Sequence, residues 1–122
     1  MPSDHEKLLV WQKAMVFVTD IYQTTQTFPK EEMYGLTSQM RRSAISIPSN
    51  IAEGKGRCSP GEFRQFLIHA RGSLLELETQ VQIAGNLGYL KPKRVDELKA
   101  RAVEIGKMLN GLIDAVSRRK NL

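Results

Sequence analysis

Residues 92–117 read PKRVDELKARAVEIGKMLNGLIDAVS, and this stretch decides the fold. Its apolar side chains return at Val95, Leu98, Ala102, Ile105, Leu109, Leu112 and Val116, in steps that alternate three and four. That spacing holds them on one face of an α-helix and is the seam of a helix bundle. A strand would need alternation by two, which no part of the chain offers convincingly. Back toward the N-terminus, three more stripes of the same period appear. Phe63, Phe66, Leu67, Ala70, Leu74, Leu77, Val81 and Ala84 make one, and Leu36, Met40, Ala44, Ile47 and Ile51 another. Trp11, Ala14, Met15, Val18, Ile21 and Tyr22 make the first. Four stripes predict four helices.

The punctuation agrees with the periods. Phe28-Pro29 stops the first helix, Lys30, Glu31 and Glu32 suit a short turn, and the second helix starts near Gly35. Gly54 and Gly56 are expected to end it, because glycine tolerates the left-handed conformation of a C-terminal cap. Ser59-Pro60-Gly61-Glu62 reads as a capping box, with Ser59 at the N-cap and Pro60 in the first helical position. Gly88 fits the position after the third helix, with Tyr89 expected to fold back on Ile83 or Ala84. Pro92 opens the fourth. Connections this short force antiparallel neighbours. The expected architecture is all-α: an antiparallel up-and-down four-helix bundle, one domain over residues 1–122, with flexible ends at 1–8 and 119–122.

Pro48 breaks a rule inside the second stripe. It removes a backbone hydrogen bond and crowds the carbonyl of Ala44, at a cost of ~3 kcal/mol if nothing compensates. Ile51 keeps the phase of the stripe, so a kink is expected rather than a break, with Ser46 and Ser49 bonding the freed backbone.

Composition excludes several classes. Apolar residues are 41% and charged ones 25%, ordinary for a globular protein. The N-terminus, MPSDHEKLLVW, carries acidic residues and no long apolar run, unlike a signal or transit peptide. Nothing approaches the ~20 apolar residues of a membrane span. The single cysteine, Cys58, has no disulfide partner and no metal-ligand cluster beside it, so a cytoplasmic setting is expected. The net charge of +5 and pI of 9.6 permit an anionic partner without demanding one.

The densest polar information surrounds Pro48. Arg42, Ser46, Asn50 and Glu53 share one face of the second helix, and Arg64 and Arg71 share a face on the third, followed by Gly72, Ser73 and Glu76. Two such stripes on neighbouring helices suit either a network that fixes helix register or a binding groove. Catalysis is poorly served. His5 sits near the N-terminus, and His69, with Ser73 and Glu76 further along, is a lone helix histidine among arginines. No zinc-protease histidine pair and no phosphate-binding glycine loop occurs, so no enzyme, cofactor or metal is expected.

Basic residues gather in three places. Arg41, Arg42, Lys55, Arg57 and Arg64 are expected on the end joining the second and third helices or on its flanks. Lys91, Lys93 and Arg94 lie at the opposite turn, and Arg118, Arg119 and Lys120 form a tail. Arg41, Lys55, Arg57, Arg64, Arg118, Arg119 and Lys120 are the candidate contacts to RNA or DNA. The competing account of the tail is a favourable interaction with the helix C-terminus plus solubility. Helix one is apolar from Ala14 through Val18, and Val10 and Phe17 lie off the Trp11–Val18 face. A helix apolar on two sides is buried on two sides, which assigns Val10 and Phe17 to a subunit interface.

Long motifs within VWQKAMVFVTDIYQTTQTFPKEEMYGLTSQMRRSAISIPSNIAEG, then FRQFLIHARGSLLELETQ and GNLGYL, resemble a bacterial four-helix-bundle family. The family is named for proteins encoded by intervening sequences within large-subunit ribosomal RNA genes. The similarity runs from about Leu9 to Leu90 and places the family's motif positions on Arg41, Arg42, Ser46, Pro48, Asn50, Glu53, Gly54, Arg71, Gly72, Ser73 and Glu76. It implies a bundle that assembles as a ring of five, a homopentamer, and it implies no activity. A distant relative, the accessory protein of diversity-generating retroelements, is a similar pentamer that binds nucleic acid and a reverse transcriptase. The functional expectation is a non-enzymatic homo-oligomeric scaffold that binds RNA or DNA. The alternatives are a structural oligomer with a protein partner, and an unrecognised nuclease.

Overall fold

The structure, a computed structural model, describes residues 4–57 and 59–120; Cys58 and the side chain of Lys120 lie outside the described residues. Four helices follow one another: α1 (Leu9–Thr25), α2 (Leu36–Lys55), α3 (Pro60–Asn86) and α4 (Pro92–Lys120). Each packs on its neighbours in sequence, and α1 closes the circuit by a lighter contact with α4. Hence α1 and α3 occupy diagonal corners of an antiparallel bundle, as the sequence predicts. Ahead of α1, Asp4–Lys7 make one 3₁₀ turn, with His5 edge-on to Trp11 at 5.2 Å and the Glu6 carbonyl accepting from Gln12 at 2.8 Å.

The caps explain where the helices stop. Ser59 Oγ accepts the Glu62 amide at 3.0 Å, which satisfies one of the free N–H groups at the start of α3. At its other end Gly88 has φ of +80°, the Gly88 amide bonds Gly85, and the Tyr89 amide reaches back to Ala84. That is a Schellman cap, and its left-handed residue needs glycine. Tyr89 folds back on Ala84 through its amide and packs against the core, and its side chain reaches further as well. Its ring lies 5.3 Å from Phe28, and its hydroxyl donates to Glu32 at 2.9 Å. Glu32 also accepts the Leu36 amide at 3.1 Å, so one carboxylate caps α2 and ties it to the turn before α4.

Gly54 and Gly56 correct another expectation. Gly54 lies within α2, and Gly56 caps it with a right-handed φ of −77°, so neither needs glycine for a left-handed turn. Gly54 serves closeness instead: a β-carbon there would stand 2.6 Å from Phe66 Cβ. Pro48 is carried inside an unbroken α2, with its ring buried.

Helix α1 is rotated relative to expectation. Val10, Ala14, Phe17 and Ile21 form its inner stripe, and Phe17 is only 1% exposed, so Val10 and Phe17 are core residues rather than interface residues. Two apolar stripes compete here, displaced by one residue, or about 100°. Lys13 and Asp20 settle the contest. Both point to α4, where Lys13 meets Glu104 at 2.9 Å and Asp20 accepts from Arg94 and Arg101. With those charges on the α4 side, the adjoining Val10–Ile21 stripe faces the centre. In α4 the buried row passes from Leu109 to Ile113 and Val116, leaving Leu112 half-buried, because a straight helix drifts off a seven-residue repeat.

Candidate interaction faces and the polar seam

Small residues let α2 and α3 approach closely, and polar groups fill the contact. Ser43 Oγ donates to Glu76 at 2.5 Å, and Ser46 and Ser73 share a hydrogen bond of 2.8 Å. One step of three forward on α2 is a step of three back on α3, which is the antiparallel register. The Asn50 amide donates to both the Ser46 carbonyl and hydroxyl, at 2.8 and 2.9 Å. Ser46 therefore turns to α3 and Asn50, not to the backbone freed by Pro48. Each hydroxyl here has a partner within the chain, as a satisfied polar network between packed helices requires.

The other members of the expected seam go elsewhere. Arg71 donates to Asn110 of α4 at 3.0 Å, Glu53 pairs with Arg57 at 3.0 Å, and Arg42 is exposed. His69, Ser73 and Glu76 do not converge, since His69 lies edge-on to Phe66 at 6.3 Å while the other two bond α2. Among the described residues, no group of three His, Cys, Asp or Glu stands close enough to hold a metal ion. None of the described helices is long and apolar enough to cross a membrane.

The basic candidates separate by position. Lys55, Arg57, Phe63 and Arg119 line one hollow where the end of α2, the start of α3 and the end of α4 meet, with Arg118 exposed nearby in sequence. Their charges are held partly by the chain itself. Lys55 lies 5.5 Å over Phe63, Arg57 lies 5.1 Å over Phe66, and Arg64 donates to Ser117 at 2.8 Å. Arg41 belongs to the opposite end. Fourteen residues of helix, ~21 Å, separate it from Lys55. There it donates to Thr25 Oγ1 at 2.9 Å and the Tyr22 carbonyl at 3.3 Å, with its guanidinium 4.5 Å over the Tyr22 ring. A cation at the Tyr22 carbonyl, in the last turn, complements the α1 dipole, so Arg41 caps that helix.

Sequence reasoning missed the ion network that fastens α1 to α4. The Asp20 side chain is 16% exposed and accepts from Arg94 at 2.6 Å and from Arg101; Arg94 also donates to Thr24 at 2.8 Å and Glu97 at 3.1 Å. Burial opposes the Arg94 charge, and its bonds to Asp20 and Glu97 more than offset that, raising its pKa. The signal was present: Lys13 and Asp20 are seven apart, as are Arg94 and Arg101.

It also misassigned the outer side of α1, where Leu9 and Val16 toward α4 and Met15 and Tyr22 toward α2 are exposed on either side of the uncharged Gln12, Thr19 and Gln23, Val16 by 60%. Because Lys13 and Asp20 are the only charges in α1 and both engage α4, nothing charged interrupts that face.

The fold and its seam define an antiparallel four-helix bundle whose α2 and α3 are joined by side-chain hydrogen bonds. Residues 6–111 match the family described as 23S rRNA-intervening sequence protein, and the chain belongs to that family. A crystal structure from Bacteroides thetaiotaomicron VPI-5482, of a protein of unknown function from the S23 ribosomal protein family, is similar in fold. It superposes with a TM-score of 0.80 at 22% identity, covering 87% of this chain and 96% of that one. None of the curated proteins matches the chain.

Proposed function

We propose that the protein is a non-enzymatic scaffold that assembles with copies of itself and binds RNA or DNA along its basic end. The observation that carries the assembly is the charge-free outer face of α1, where exposed Leu9 and Val16 on one flank and Met15 and Tyr22 on the other border the uncharged Gln12, Thr19 and Gln23. Depletion of charge at the centre of a patch is what distinguishes an interface from ordinary surface. A closed ring, with the five subunits that the family resemblance implies, would repeat the Lys55–Arg57–Arg119 hollow around an axis. Repetition turns later phosphate contacts into intramolecular ones and raises avidity. A second reading, an oligomer whose partner is another protein, is favoured by the internal partners of Arg57 and Arg64. Light scattering after gel filtration tests the assembly: wild type should elute as a closed oligomer, and Met15→Glu as a monomer with unchanged helix content. A wild-type monomer at every concentration would end the proposal.

A further inference from the structure

The hollow where α2 ends and α3 begins is more selective in its chemistry than an open basic surface. It encloses about 440 Å³, within the range of roughly 300–1,000 Å³ usual for small-ligand pockets. Lys55, Arg57 and Arg119 line it, and no carboxylate does. Two carboxylates stand beside it: Glu53 pairs with Arg57 at 3.0 Å, and Glu62 lies 3.4 Å from Ser59 Oγ. Lys55 and Arg119 have no ion-pair partner among the described residues. The rest of the lining is largely apolar. Phe63, only 7% exposed, lies 5.5 Å beneath the Lys55 ammonium, and Pro60 and Val116 continue that wall.

Cations gathered in a concavity treat two kinds of phosphate differently. A phosphate inside a strand carries one charge and a sugar on each side, so both sugars must follow it in. A terminal phosphate enters alone. It is a monoester, with one sugar, three free acceptor oxygens and a charge of roughly −1.5 to −2 near neutral pH. Lys55 offers it a point charge, and Arg119 a planar fork that accepts two oxygens at once. Its single sugar then has Pro60, Phe63 and Val116 to lie against.

Resting on the nucleic-acid binding proposed above, we infer that this hollow takes the terminal phosphate of a strand of RNA or DNA. Phosphates further along the strand meet the exposed cations outside it. The protein then distinguishes the end of a strand from its interior without reading a base.

Fluorescence anisotropy on the full chain, at fixed ionic strength, tests this with short single-stranded probes labelled at the far end. One probe carries a 5′-phosphate and one a 5′-hydroxyl. A third has a 5′-hydroxyl and one extra nucleotide, which matches the first in number of phosphates. A mirror set does the same for the 3′ end. At one end or the other, the phosphorylated probe should bind about tenfold tighter than both controls, the worth of one added charge-assisted contact. Lys55→Gln with Arg119→Gln should abolish that ratio with helix content unchanged by circular dichroism. Arg119→Gln alone, at an exposed position, should lower the ratio and serves if the pair loosens the bundle. Inorganic phosphate, lacking the sugar, should compete only at far higher concentration. If it competes as well as the phosphorylated probe, the hollow is a site for the free anion and the inference falls. If phosphorylation adds nothing at either end, or if the variants keep the ratio, the hollow does not take strand ends, while nucleic-acid binding stands. If no probe binds, both fall.

Discussion

Gly54 of α2 and Phe66 of α3 touch so closely that a methyl group on the glycine would lie 2.6 Å from the Phe66 β-carbon and 3.1 Å from the ring of Phe63. Neither neighbour is the far end of a flexible chain at that point of contact, so the helices themselves would have to part. Gly54→Ala should therefore destabilise the protein by about 1–3 kcal/mol, despite alanine's better helix propensity. Gly111→Ala, on α4 with nothing within 4 Å, should instead stabilise by up to about 1 kcal/mol. Urea unfolding at one fixed protein concentration reads both, the fixed concentration being needed because assembly is linked to stability. A Gly54→Ala midpoint at or above wild type would contradict the close approach.

The second expectation concerns Asp20, whose carboxylate serves both Arg94 and Arg101. Removing it leaves Arg101 without its carboxylate and Arg94 with Glu97 alone. Asp20→Ala should cost about 1–3 kcal/mol, between the small worth of an exposed pair and the larger penalty of breaking a buried one. Because the pair is shielded from solvent, much of that loss should persist in high salt. A cost below a few tenths of a kcal/mol would mean that the network contributes nothing to holding α1 against α4.

How far the sequence carried this structure can be judged from α1 and the polar seam. Period and punctuation were enough for the helices, because apolar spacing and caps are local properties. The rotation of α1 was not local. Trp11–Val18 and Val10–Phe17 are equally plausible inner stripes until Lys13 and Asp20 find their partners on α4, seventy or more residues away. The glycine at position 54 was misread for a similar reason: a glycine at a helix end and one under a neighbouring aromatic look alike in one dimension. Ser46 and Ser73 meet across α2 and α3 and Glu76 reaches Ser43, whereas Arg71 and Arg64 turn toward α4, since a helix face alone does not say which neighbour it meets.

The third expectation is a titration. Lys13 donates a hydrogen bond to Glu104, and that bond, with the Coulombic attraction beside it, holds the Glu104 carboxyl below the ordinary glutamate value. A depressed folded pKa means that the pair's stabilisation is complete above the unfolded glutamate range and is lost as pH falls through the depressed value. The pair is exposed, so the effect on stability is small. By NMR, the Glu104 midpoint should lie below that of a peptide glutamate and move up toward it in Lys13→Ala. If it does not move, Lys13 is not the cause.

The last expectation is weak, strongly salt-dependent binding to RNA or DNA, without marked sequence preference. Its basis is the meeting of Lys55, Arg57 and Arg119 at one end of the bundle, with Arg41 at the other. Phe63 and Phe66 lie beneath cations and are largely covered, so base stacking should add little. Affinity should then come from counterion release, with a log–log slope against salt of about 0.7–0.9 per phosphate contacted. Arg57→Ala with Arg119→Ala removes two such contacts, so the slope should flatten by about 1.4–1.8. Arg41→Ala loosens the end of α1 yet should leave the slope unchanged, because its charge lies ~21 Å along α2 from Lys55. If both variants flatten the slope equally, the basic end has no special place in binding. If wild type binds nothing even at low salt, its cations serve the bundle and its solubility, and the partner is protein.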